Sequence, residues 1–97
     1  MTDKTQMAQQ AQALFRAVLT LENEQECAAF FEDLCTVQEL KAMAQRFQVA
    51  AMLEEKQVYN RIVEKTGAST ATISRVNRAL NYGTDGYRTV LKRLAES

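Results

Sequence analysis

The chain has no histidine, no proline, three glycines and two cysteines in 97 residues. Each shortage excludes something. With no histidine, and with Cys27 and Cys35 eight positions apart, neither the usual Cys/His zinc sets nor a CxxC redox pair can be assembled, and both cysteines read as small core residues. There is no glycine-rich phosphate loop and no nucleophile beside a recognisable base. The adjacent Glu54 and Glu55 point in different directions at a helix end, so no enzyme chemistry is expected and no metal or other cofactor is implied. The missing prolines, together with few β-branched residues outside 58–76, favour helix almost throughout. No apolar run approaches the roughly 18 residues that span a bilayer. The polar start MTDKTQMAQQ lacks the layout of a signal peptide, so a cytoplasmic protein without a membrane role is expected.

What is present fits one soluble domain over residues 1–97: 46% of the residues are hydrophobic and 25% charged. A chain of this length buries only roughly 60–65% of the surface its unfolded form exposes, so a lone core is marginal. The net charge is zero, but it is unevenly placed. Residues 1–55 carry four basic and nine acidic side chains, and residues 56–97 carry eight basic and three acidic. A basic half can meet a polyanion even when the whole is neutral; the same division also lets the two halves attract each other.

Hydrophobic spacing predicts six helices. The first, about 5–21, aligns Met7, Ala11, Leu14, Phe15, Val18 and Leu21 in one stripe. Asn23 with Glu26 has the spacing of a capping box and opens a second helix carrying Cys27, Phe30, Phe31 and Leu34. Thr36 with Glu39 repeats that spacing and opens a third, to about 54, in which 11 of the 17 residues from Val37 to Leu53 are apolar. Coverage that wide implies burial on more than one side, as in a helix shared with a second subunit. A fourth helix, near 57–65, is expected to turn Val58, Ile62 and Val63 inward and to end at Thr66-Gly67. The fifth starts after Ser69 or Thr70, buries Ile73, Val76 and Leu80, and stops at Gly83. Thr84 is expected to cap the last, with Tyr87, Val90, Leu91 and Leu94 as its stripe.

Two short helices joined by a tight turn with glycine have the helix-turn-helix layout, at about 57–81. With Gly67 as the turn glycine, its internal positions fall on Ile62, Val63, Ile73 and Val76, all apolar; Thr66 stands where a larger apolar residue is commoner. At 100° per residue, Ala71, Ser74, Arg75 and Arg78 lie opposite the buried row of the fifth helix. Short side chains at Ser69, Thr70, Ala71 and Thr72 let backbone approach base edges, while the arginines can reach phosphate or guanine. Arg61, Lys65 and Lys56 can add phosphate contacts. Taken singly, Ser69 or Thr70 could be only a cap and the arginines only a solvated face.

The run GASTATISRVNRALNYG, preceded by TVQELKAMAQRFQVAAMLEEKQVYNRI, resembles the tryptophan-repressor superfamily, and within it the YerC/YecD-type branch of small TrpR-related regulators. The similarity covers about residues 10–95. It implies an all-α, six-helix, intertwined homodimer in which N-terminal helices (about 5–54) interlock and two helix-turn-helix heads meet double-stranded DNA, with a repressor as the expected role. In the tryptophan-binding branch two arginines flank the indole, and Arg46 and Arg75 match them; Thr36 matches a residue lining that pocket. That branch has glycine and serine where this chain has Val76 and Ala79, which would fill the indole's space and remove a hydroxyl, so a tryptophan corepressor is not expected. Two other readings stay open: a helical protein-interaction module without a DNA role, and a regulator answering to a small molecule other than tryptophan.

Overall fold

The computed structural model describes residues 4–97 and contains, among them, six helices and no strand. They are α1 (Lys4–Val18), α2 (Glu24–Leu34), α3 (Val37–Glu54), α4 (Tyr59–Thr66), α5 (Thr70–Tyr82) and α6 (Gly86–Glu96). The described residues up to 37 and residues 38–97 form two compact units.

In the first unit α1 stops at Val18 rather than near 21, because its end tightens into three-residue hydrogen bonds. The Thr20 and Leu21 amides donate to the Ala17 and Val18 carbonyls at 3.1 Å, and the Thr20 hydroxyl donates to Ala17 O at 2.7 Å. No α1 residue is buried in the single chain, and Leu14, Phe15 and Leu19 are exposed. α2 begins as its spacing predicted: the Asn23 Oδ1 accepts from the Glu26 amide at 2.9 Å. The return bond differs from a standard capping box, since the Glu26 carboxylate accepts from the Glu22 amide at 2.9 Å, one residue further out. Phe30 and Phe31 meet edge to face, their centroids 5.6 Å apart.

The second unit is organised around the C-terminal half of α3, whose Val49, Ala50 and Met52 form one core with Ile62 of α4, Ala68 of the turn, and Ile73 and Val76 of α5. Leu53, Val63 and Tyr87 close its edges. The helix ends at Lys56, which takes a left-handed φ of 65° while its amide donates to Leu53 O and the Gln57 amide to Met52 O. That is a Schellman closure with lysine where glycine is usual.

Two expectations fail locally. Val58 does not turn inward: it is 68% exposed and stands at the cap position ahead of α4, before the helical periodicity applies. Thr84 does not cap α6: Asp85 occupies that position, with a left-handed φ of 65° and no side-chain cap bond. The α6 stripe is also only partly covered in the single chain, Tyr87 and Leu91 being half-buried and Val90 and Leu94 exposed. α6 is instead tied to its neighbours by Arg88, which donates to Glu54 of α3 at 3.3 Å and to Asn81 of α5 at 3.0 Å.

Candidate nucleic-acid interface

The head is built from α4, a three-residue turn and α5. Gly67 ends α4 with φ 73°, the left-handed conformation that glycine adopts without a Cβ penalty, and its amide donates to Val63 O at 2.8 Å. Thr66, the residue that departs from the apolar pattern, holds the same corner by polar means. Its hydroxyl donates to Ile62 O at 2.7 Å and accepts from the Ala68 amide at 3.1 Å, while Gln45 of α3 donates to the Thr66 carbonyl at 3.1 Å. Orphan groups of a helix end are thereby satisfied in a half-buried place. Ala68 can then enter the core, and α5 is aimed by Ile73, Val76 and Leu80.

Ser69 is the N-cap of α5: its Oγ accepts from the Thr72 amide at 3.1 Å and donates to Thr72 Oγ1 at 3.1 Å. The opening hydroxyls therefore divide. Those of Ser69 and Thr72 are engaged with each other, with Thr72 half-buried, whereas Thr70 and Ser74 are exposed and have no intramolecular partner among the described residues.

Ala71, Ser74, Arg75 and Arg78 together line a shallow concavity of about 290 Å³ on the outward side of α5. Neither arginine is ion-paired among the described residues, and α5 contains no acidic side chain. On α4, Arg61 and Lys65 are both exposed and, four residues apart, share one face. Lys56 is exposed as well. Two unpaired guanidinium groups beside small side chains and free hydroxyls can bind phosphate and read base edges.

The residues matched to a ligand pocket are dispersed differently. Arg75 lies in the outward concavity, Arg46 is half-buried on α3, and Thr36 is exposed immediately before α3. Val76 is 2% exposed and belongs to the core. Ala79 lines a second, apolar cavity of about 650 Å³ with Phe47, Gly83, Thr84, Gly86, Tyr87 and Val90; neither Arg46 nor Arg75 is part of its wall. Sequence reasoning missed the Arg88 link to Glu54 and Asn81. It also missed Tyr82, 87% exposed at the end of α5, although counting 100° per residue onward from Arg78 would have reached it.

The profile of the Trp repressor protein family matches residues 9–95. The uncharacterized protein YerC of Bacillus subtilis (strain 168) is 52% identical over 84 residues, covering 87% of this chain and 81% of that protein. Two crystal structures superpose closely. A TrpR-like protein from Eubacterium eligens ATCC 27750 has a TM-score of 0.87 at 56% identity, over 90% of both chains. A putative Trp repressor from Staphylococcus aureus has 0.85 at 49%, over 90% of this chain and 87% of that one.

Proposed function

The chain belongs to the Trp repressor protein family, a family of DNA-binding regulators, and from that premise we propose that it is a sequence-specific repressor that occupies a two-fold operator as a homodimer. The observation that carries the reading is the outward face of α5: Ala71, Ser74, Arg75 and Arg78 around one concavity, the arginines free of carboxylate partners, directly after a glycine turn. In a helix-turn-helix, α5 enters the major groove and α4 crosses the backbone. Arg75, Arg78, Arg61 and Lys65 then supply phosphate contacts. Thr70, Ala71 and Ser74 supply most of the sequence choice, with Ser69 and Thr72 holding the helix start in shape. The apolar side chains left exposed on α1, just after it and on α6, among them Leu14, Phe15, Leu19, Val90 and Leu94, favour a dimer that covers them.

Each phosphate contact that releases counterions adds about 0.9 to the slope of log affinity against log salt. Replacing Arg75 and Arg78 together with alanine is expected to weaken operator binding and lower that slope by about 1.8. A double variant that binds with the unaltered affinity and slope would remove α5 from the interface.

Tryptophan is not the effector in this reading. Val76 is committed to the core where the tryptophan-binding branch has glycine, and Ala79 brings no hydroxyl to the cavity it lines. Tryptophan at millimolar concentration is expected to leave the melting temperature unchanged, whereas a ligand at 100 times its Kd would stabilise by about 2.7 kcal/mol. The apolar cavity beside Ala79 leaves a second reading open, a regulator answering to a different, largely apolar small molecule.

A further inference from the structure

Tyr82 is the last residue of α5, yet it is 87% exposed and its hydroxyl has no partner among the described residues. A large aromatic side chain so exposed contributes little to packing. Its position along the helix is informative. Counting 100° per residue, Ala71, Arg78 and Tyr82 lie within about 20° of one line, so the phenol continues the outward face at its far end. The rise of a helix places Tyr82 about 16 Å along the axis from Ala71 and about 6 Å beyond Arg78. The major groove is only about 8.5 Å deep. If α5 points into the groove with its start at the base edges, a side chain about 16 Å further along its axis stands at the groove's rim, level with the phosphates rather than the bases.

We propose that Tyr82 is a DNA-backbone contact: its phenolic O–H donates to a phosphate oxygen at the groove edge, next to the phosphate engaged by Arg78. The inference rests on the DNA-binding reading of α5 and extends it by one residue type that brings a donor without charge. Phosphate favours such a partner because its oxygens accept hydrogen bonds from tyrosine hydroxyls as well as from cations. No acidic side chain on α5 opposes the approach.

The test uses the full chain and a duplex recovered by selection from a random pool, titrated across salt concentrations. Tyr82→Phe removes only the hydroxyl, and affinity is expected to fall about ten-fold, the size of one hydrogen bond to a charged acceptor. Tyr82→Ala should lose a similar amount. Because the contact is neutral, the salt slope should stay that of the unaltered protein in both variants, whereas Arg78→Ala should lower it by about 0.9. Unfolding midpoints should scarcely move, since the side chain is 87% exposed. If Tyr82→Phe binds as the unaltered protein does, the proposal is overturned; if only Tyr82→Ala is weak, the ring touches a partner surface and the phosphate contact is again excluded. Failure of the unaltered protein to retain any duplex overturns the DNA-binding reading and this inference with it.

Discussion

Thr66 shows how a departure from pattern can be legible only in three dimensions. The expected choice at the corner is apolar, and the hydroxyl looks misplaced until its two hydrogen bonds and the Gln45 contact to its carbonyl are seen. Ser69 is the opposite case. It was readable as a cap from its place before a periodic apolar run, and the structure adds that Thr72 consumes its hydroxyl proton as well. Replacing Ser69 with alanine should therefore destabilise the protein by about 1 kcal/mol in urea unfolding. Its effect on DNA binding should be smaller than that of replacing Ser74, which is exposed on the reading face. The two residues that sequence missed differ in kind: the helical count within α5 reaches Tyr82, whereas the Arg88 link joins three helices, which periodicity within one helix does not encode.

At the scale of elements, helix existence and type followed from composition and spacing, and the six observed helices lie close to their expected limits. The interior row of α5 is legible in the sequence because three apolar residues at spacings of three and four can share only one side, and Ile73, Val76 and Leu80 are buried there. Ends were harder. α1 frays into three-residue bonds, α4 starts after Val58 rather than around it, and α6 starts from a left-handed Asp85 that no preference for side-chain caps would select. The exit of α3 is another such end, and it carries a prediction. Lys56 holds φ 65° where glycine is the usual residue, and a side chain there costs about 1–2 kcal/mol, partly offset by the greater freedom glycine has when unfolded. Lys56→Gly should raise stability by about 0.5–1 kcal/mol, read as a higher midpoint in urea. A lower midpoint would mean that the lysine side chain holds the α3–α4 corner by its own contacts.

For the molecule as a whole, the charge division and the surplus of apolar surface were both visible from sequence, but what they are for was not. The split of about −5 and +5 suits either attraction within the protein or contact with a polyanion. The structure favours the second for α5, because Arg75 and Arg78 have no ion-pair partner among the described residues. Likewise, eleven apolar residues on α3 exceed what the single chain buries, which is Val49, Ala50 and Met52. Both features meet in one expectation: a dimer whose two heads present α5 to successive turns of one DNA face.

Selection of bound duplexes from a random pool at physiological salt tests that expectation most directly. The expected result is recovery of a two-fold symmetric sequence whose half-sites are centred about one helical turn, roughly 34 Å, apart, protected by two copies of the chain. Recovery of no enriched sequence, or of a single unsymmetrical half-site bound by one copy, would contradict it.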